Sequence, residues 1–273
     1  MATPPAASRH HLTQTVLKAL DVLECLAQSD VPLSAQDVAL RTGLSRTTAY
    51  RLLTTMSARG YVVAGDDARF RLGAGLLRLA TAVLEHLNLP EVAAPELHEV
   101  NRETGETTYL GILDQGEVLY VARVESPQPI RLHSVVGTRN PVHCTALGKA
   151  LLAYLPPAES AVIVNAKPLA ARTPSTIVEP ERYMAHLQEV RARGYAIDDI
   201  ENEEGVRCVA APIFGHEGRP VAAISVAAPA YRMSLERVRE ISEIVRREAA
   251  KVSAKLGASA PACDSTPGTS TVA

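Results

Sequence analysis

Arg46, Thr47, Thr48, Tyr50 and Arg51 place two guanidinium groups, two threonine hydroxyls and a phenol within six consecutive positions. Arginine pairs bidentately with guanine, and threonine contacts thymine methyls or phosphate oxygens. Each good base contact discriminates by about 1–3 kcal/mol. These groups act together only if they share the exposed face of a helix whose N-terminal end meets base edges in a major groove.

The neighbouring residues supply such a helix. Ser45 is a suitable N-cap, and Ala49, Leu52, Leu53 and Met56 fall at helical spacing on the opposite side. Upstream, Ser34 caps a first helix with Asp37 in its first turn, where the helix dipole favours a carboxylate. Val38 and Ala39 form its apolar face, Gly43 ends it in a left-handed conformation, and Leu44 points inward. Two helices across a short glycine-containing turn form a helix-turn-helix. The bland alternative is a solvated face on a small helical bundle. After Gly60, the stretch YVVAGDDARFRLG reads as strand, Gly-Asp-Asp turn and strand, a wing bearing Arg69 and Arg71. A wing sets cations beside the DNA backbone, which adds affinity more than specificity. Val62, Phe70 and Leu72 of the same hairpin also close the small core.

A second set of reactive residue types lies further on. Cys208, His143 and Asp198 are a conceivable nucleophile, base and orienter, but no nucleophile-elbow context surrounds them, and a buried apolar cysteine is the simpler reading. His143, Cys144 and Cys208 offer three nitrogen and sulfur ligands without a clear fourth, so no metal site is expected. Asp198, Asp199, Glu201, Glu203 and Glu204 form an acidic run best read as a solvated loop. A thiol redox sensor at Cys144 or Cys208 requires an exposed thiol of low pKa. The chain is therefore read as a non-enzyme with no cofactor.

Composition agrees with a two-part protein. The 273 residues are 47% hydrophobic and 21% charged, with no tryptophan and two phenylalanines, so the cores are aliphatic. The net charge of −2 divides unevenly: residues 1–80 hold nine of the 28 basic residues and six of the 30 acidic ones. A basic head on an acidic body suits a protein that touches phosphate with one end. The four cysteines are widely spaced, and no apolar run is long enough to span a bilayer. A cytoplasmic protein with reduced thiols and no membrane partner is expected.

The pattern predicts a disordered arm over 1–9, a winged helix-turn-helix over 10–72, a linker helix or dimer contact over 73–90, an effector domain over 91–256 and a disordered tail over 257–273. Within the head, a first helix over 13–27 shows Val16, Leu20, Leu23 and Leu26 on one face. The body reads as helix 91–104, strands 107–113, 118–124 and 130–136, an irregular loop 137–145, and helices 146–155, 158–165 and 179–193. Strands 195–198, 206–214 and 220–226 and a long helix 234–256 complete it. An antiparallel sheet with helices packed on it makes an α+β fold.

Several strings resemble the IclR family of transcriptional regulators over nearly the whole chain, from Thr13 to Leu256. They are TVLKALDVLECLA, GLSRTTAYRLL and FRLG in the head, and HCTALGKALLAYL and GYAIDDIENEEGVRCVAAPIFGHEGRPVAAISVAAP in the body. The resemblance implies a winged-helix DNA-binding head and a GAF-like effector domain in a homodimer or dimer of dimers. It also implies control of operons for catabolism of small organic acids and aromatics. The family's effector pocket matches Leu132, Asn140, Ala146, Leu147, Asp198, Val206, Cys208, Ser225 and Ala227 here. Free N–H groups at the start of the 146–155 helix would hold a carboxylate, with its apolar body against Leu132, Leu147 and Val206. Ala227 stands where members that bind small polar acids often carry a hydroxyl, which leans toward a less polar ligand.

The expected function is thus a transcriptional regulator, a repressor rather than an activator. Ser45, Arg46, Thr47, Thr48, Tyr50, Arg51, Arg69 and Arg71 would meet double-stranded operator DNA, and a small organic acid or aromatic effector would modulate it through the 73–87 helix. The rival is a small-molecule or redox sensor, or an enzyme domain, whose helical head makes protein contacts.

Overall fold

A computed structural model describes residues 12–79, 88–130, 132 and 135–258. The chain divides into two compact units, Met1–Leu87 and Asn88–Ala273.

The first unit runs α1 (Gln14–Ala27), β1 (Leu33–Ser34), α2 (Ala35–Thr42), α3 (Arg46–Ala58), β2 (Val62–Ala64) and β3 (Arg69–Leu72). Ser34 and Asp37 form a reciprocal capping box: the Asp37 N–H donates to Ser34 Oγ at 3.2 Å and the Ser34 N–H to Asp37 Oδ2 at 3.0 Å. Gly43, at φ +69°, ends α2 and turns the chain so that the Leu44 N–H returns to the Ala39 carbonyl. Val38, Ala39, Ala49, Leu53, Met56, Val62 and Phe70 share one core. β3 lies between β1 and β2 in an antiparallel three-stranded sheet, so the wing is tied to the start of α2.

On α1 the buried positions differ from the expected stripe. Val22 and Leu26 are sealed in the core, whereas Val16 and Leu20 are about half exposed. The core is small and α1 meets it over its C-terminal half, so the apolar residues of its first turns stay in solvent. Residues 75–79 are helical; the rest of the expected linker helix, the N-terminal arm over 1–9 and most of the C-terminal tail fall outside the described residues.

The second unit holds α4 (Leu89–Thr104), β4 (Thr107–Asp114), β5 (Glu117–Val124), β6 (Arg139–Pro141), α5 (Ala146–Leu152), α6 (Pro157–Asn165), α7 (Pro180–Arg193), β7 (Ala196–Asp199), β8 (Val206–Phe214), β9 (Pro220–Pro229) and α8 (Leu235–Lys255). Its six-stranded antiparallel sheet has the order β6-β5-β4-β9-β8-β7. The sheet separates two cores. α4 and α8 cover the face carrying Leu110, Val209, Ile213, Ile224 and Val226. On the other face α5 and α7 lie over Tyr109, Tyr120, Ala196, Ala210, Ala223 and Ala227. Among the described residues no helix is long and apolar enough to cross a membrane.

The strand expected at 130–136 is a correction. Residues 131, 133 and 134 lie outside the description, and 130, 132, 135 and 136 are not in a strand. The partner of β5 is β6, with Val118 opposite Asn140, within the stretch expected to be irregular. Only one segment can occupy the free edge of β5. Thr138 O takes the Tyr120 N–H and the Gly137 N–H reaches Tyr120 O, so 137–141 claims that edge. The helix expected to reach residue 155 stops at Leu152, and all seven of its residues are buried. Gly148 allows this, because a Cβ there would lie 2.2 Å from the Val142 carbonyl oxygen. Gly148→Ala must push α5 off the 142–145 turn, and overpacking of this kind costs about 1–3 kcal/mol. A lowered thermal unfolding midpoint of the purified variant is the expected result.

Candidate functional site

In the head, Ser45 Oγ accepts the Thr48 N–H at 3.2 Å and lies 2.8 Å from Thr48 Oγ1, so the two hydroxyls fix the first turn of α3. Arg46, Thr47, Tyr50 and Arg51 are all exposed around that end. The Tyr50 ring packs edge-on against Phe70 of β3 at 6.4 Å, which braces α3 on the wing. The two wing arginines differ. Arg69 donates to the Pro32 carbonyl at 3.2 Å and pairs with Asp37 at 3.7 Å and Asp67 at 3.4 Å. Arg71 is paired through its backbone with Val63 of β2, and its exposed side chain makes no hydrogen bond or ion pair among the described residues.

In the body, strand register brings the expected pocket residues to one face. Asp198 lies opposite Cys208, Cys208 opposite Ala227, and Ser225 between Tyr109 and Ala210. Val206 is two residues from Cys208 and therefore on the same face. Leu132, Ala146 and Leu147 pack into the core that covers this face. Tyr109 and Tyr120, which sequence reasoning did not single out, stack there with ring centroids 5.0 Å apart. Their alternation along β4 and β5 was a usable signal once the covered face was known.

Asp198 is 1% exposed, and its Oδ1 accepts the backbone N–H groups of Glu201 at 2.7 Å and Asn202 at 3.2 Å. Burial pushes its carboxyl up to about 7, against the opposing effect of those N–H groups and of Lys149. Lys149 of α5, fully buried, bonds the Ile197 carbonyl at 2.8 Å and pairs with Glu201. The acidic run expected to be a solvated loop is thus partly internal. Burying Asp198 and Glu201 is possible because backbone N–H groups hold one and a lysine holds the other. Ile200, between them, sits at φ +60°, strained for a β-branched residue. Thr173 Oγ1 donates to its carbonyl at 2.6 Å, and Thr176 Oγ1 donates to that of Glu201 at 2.7 Å.

The start of α5 is less open to an anion than the sequence implied. The helix has seven residues, and Thr145 Oγ1 already accepts the Gly148 N–H at 3.2 Å. Nor does the geometry assemble a cysteine nucleophile. His143 Nε2 meets the Ala170 carbonyl at 3.0 Å, and Cys208 lies opposite Asp198 in the sheet rather than beside an imidazole. Burial raises Cys144 to about 12 and Cys208 well above the ordinary thiol value, the opposite of a redox-active thiolate. Among the described residues no group of three His, Cys, Asp or Glu side chains could hold a metal ion.

The two units match known families separately. Residues 15–65 match the IclR helix-turn-helix domain, and residues 81–254 match the C-terminal domain of bacterial IclR transcriptional regulators. The chain belongs to the IclR family of transcriptional regulators. The HTH-type transcriptional regulator XynR of Escherichia coli K12 is 34% identical over 247 residues, covering 90% of this chain and 98% of XynR. The crystal structure of an IclR transcriptional regulator from Silicibacter superposes with a TM-score of 0.83 at 29% identity, over 92% of this chain and 98% of that one. An IclR homologue from Microbacterium hydrocarbonoxydans, solved with 4-hydroxybenzoate, is 29% identical with a TM-score of 0.55, over 90% of this chain and all of its own. Relatives of this IclR-family protein are thus regulators rather than enzymes, and the sensor-enzyme rival finds no support among them.

The raised Asp198 has a direct consequence for stability. An acid whose folded pKa lies above its unfolded value of about 3.9 binds more protons when folded. Stability is therefore fullest below the unfolded value and falls as pH rises through about 7. Each unit of the upward shift removes about 1.4 kcal/mol at high pH. Asp198→Asn keeps a carbonyl for the Glu201 and Asn202 N–H groups but cannot ionise. Its unfolding free energy should gain on the wild type between pH 4 and pH 7, as measured by urea melts.

Proposed function

We propose that this IclR-family regulator binds double-stranded operator DNA through α3 and the wing and is controlled by a small organic acid or aromatic effector held on the α5 face of the body sheet. We infer repression rather than activation, and action in the cytoplasm as a homodimer or dimer of dimers. The observation that carries the DNA reading is the exposed row Arg46, Thr47, Tyr50 and Arg51 at the N-terminal end of α3. Ser45 and Thr48, besides fixing that turn, are exposed or half-exposed and lie within reach of a phosphate. Of the wing pair, Arg71 is the freer phosphate contact, because Arg69 is engaged with Asp37 and the Pro32 carbonyl.

The effector reading rests on Leu132, Asn140, Ala146, Leu147, Asp198, Val206, Cys208, Ser225 and Ala227 surrounding one patch of small side chains and stacked tyrosines. This largely apolar lining would suit a ring, and Ala227 adds no hydroxyl for a small polar acid. The 4-hydroxybenzoate bound by the Microbacterium homologue has the same character. Self-association is supported by Val16 and Leu20, exposed four residues apart on one face of α1.

Fluorescence anisotropy on the upstream intergenic duplex against a scrambled duplex, at several salt concentrations, tests the DNA reading. Arg46→Ala should narrow the difference between the two duplexes by about 1–3 kcal/mol. Arg71→Ala should weaken both equally and reduce the salt slope by about one unit, whereas Arg69→Ala should chiefly lower the melting temperature of the head. Equal wild-type binding to both duplexes at every salt concentration would refute specific recognition. Val16→Glu with Leu20→Glu should shift sedimentation toward a smaller species; an unchanged sedimentation coefficient would remove α1 from the interface.

A further inference from the structure

A half-open groove of about 600 Å³ lies between α8 and the free end of β8 in the body, and none of its wall residues belongs to the set proposed for the effector. It exists because β7 is short. β7 pairs with β8 only from Arg207 to Ala210, so β8 continues through Ala211 and Pro212 to Phe214 beyond the reach of its neighbour. The backbone donors of that extension are scarce. Pro212 has no N–H, and the Phe214 N–H is taken by Ser253 Oγ of α8 at 2.9 Å. A peptide strand, which binds an edge through main-chain hydrogen bonds, is therefore a poor occupant.

The walls suit an apolar body instead. Tyr154, from the turn after α5, stands edge-on to Phe214 with ring centroids 5.1 Å apart. α8 faces these rings with Ala250 and Ala254, exposed and one turn apart, whose small side chains keep the helix side of the groove shallow. Positive charge stands beside the rings. The Arg246 guanidinium rests on Gly194, where a Cβ would lie 3.0 Å from its Nε. Arg191 lies 5.8 Å from the centroid of the Tyr154 ring. Burial raises the Tyr154 hydroxyl above its ordinary value while Arg246 and Arg191 both draw it down, as a positive local field requires. Arg246 pairs with Glu243 at 3.1 Å, but the two side chains are 45% and 71% exposed. A surface pair three residues apart on one helix contributes little and gives way to a better-placed carboxylate. Arg247 is less free, since Glu103 and Glu248 both hold it.

Sites of about 300–1,000 Å³ hold ligands of more than one ring. We propose that this groove is a second ligand site, for a carboxylate with an extended apolar body, the body lying between the Tyr154–Phe214 pair and the two alanines and the carboxylate pairing with Arg246. Aromatic and methyl surface leaves water on binding, and the guanidinium exchanges Glu243 for a bidentate partner. Tyr154 packs on the α5-side core and Ala211 belongs to the α8-side core. An occupied groove thus ties together the sheet edge at which the two cores meet.

The probe is 2-naphthoate, titrated calorimetrically into the full-length protein, with 2-naphthamide as its uncharged counterpart. Ala250→Trp and Ala254→Trp, both at exposed positions, should abolish naphthoate binding while leaving the thermal unfolding midpoint unchanged. Arg246→Gln should weaken naphthoate about tenfold, the loss of one charge-assisted contact, and leave naphthamide unaffected. Saturating 4-hydroxybenzoate, a candidate for the α5 face, should not displace the probe, so failure of the effector reading leaves this site standing. Hydrogen exchange on the wild type needs no variant: naphthoate should protect 211–214 and 246–254. Naphthoate that fails to bind, that protects β5 and β7 instead, or that binds both tryptophan variants as well as the wild type would overturn the proposal. Binding seen only after removal of residues 259–273 would make that segment the occupant and overturn it equally.

Discussion

A lysine with no contact with water holds the α5 face of the body sheet in place. Lys149 pairs with Glu201 and bonds the Ile197 carbonyl, and the same Glu201 carboxylate accepts the Asp199 N–H at 3.3 Å. β7 is an edge strand, so these side chains stand in for the neighbour the sheet lacks and close an edge that would otherwise be open. Two apolar residues would fill the space at less desolvation cost, and among the described residues Glu201 Oε2 has no hydrogen-bond partner. What apolar residues would not do is fix the β7–β8 connection. That connection carries Ile200 at a strained φ and delivers the Glu201 and Asn202 N–H groups to Asp198. Asp198 is oriented by backbone whose own conformation depends on the buried pair.

Around that fixed point the sheet is asymmetric in side-chain size. The face under α4 and α8 carries Leu110, Val209, Ile213, Ile224 and Val226, a close-packed aliphatic surface. The opposite face of the same central strands carries Ala210, Ala223, Ser225, Ala227 and Cys208. Small side chains in the middle of a sheet leave volume that the covering helix must fill or a ligand can take. α5 packs over these small side chains, beside the stacked Tyr109 and Tyr120.

The head was legible in the sequence almost residue by residue, because its signals are local. Ser34, Asp37, Gly43 and Ser45 each act within one turn of themselves, and the structure places them as the caps and the turn that their types imply. The body's strands were legible from alternation, and β8 runs from Val206 to Phe214 as expected. The misreadings were of another kind. The true partner of β5 depends on which of two nearby segments reaches an open edge, a long-range competition that composition does not reveal. The α1 stripe was periodic, but periodicity does not say how far a small core extends. The gravest omission was Lys149, a charge inside the run ALGKALL, where an isolated lysine among buried residues was itself a sign of an internal partner.

The electrostatics of the pocket follow from that omission. Reading the site from sequence, the obvious counter-charge for an acid was the start of a helix, but α5 spans seven residues and its Gly148 N–H is taken by Thr145. Among the described residues the one buried lysine or arginine, Lys149, was then the natural alternative, and the fold has assigned it to Glu201. Lys149 is thus engaged by the protein itself, as is the Gly148 N–H at the start of α5, and Asp198 adds a buried acid to the same face. If an effector is held here as proposed, a bare, strongly hydrated anion needs donors in the site to replace the water it loses. The tyrosine pair and Ala227 make the sheet side of that proposed site largely apolar, which suits a ligand with an apolar body.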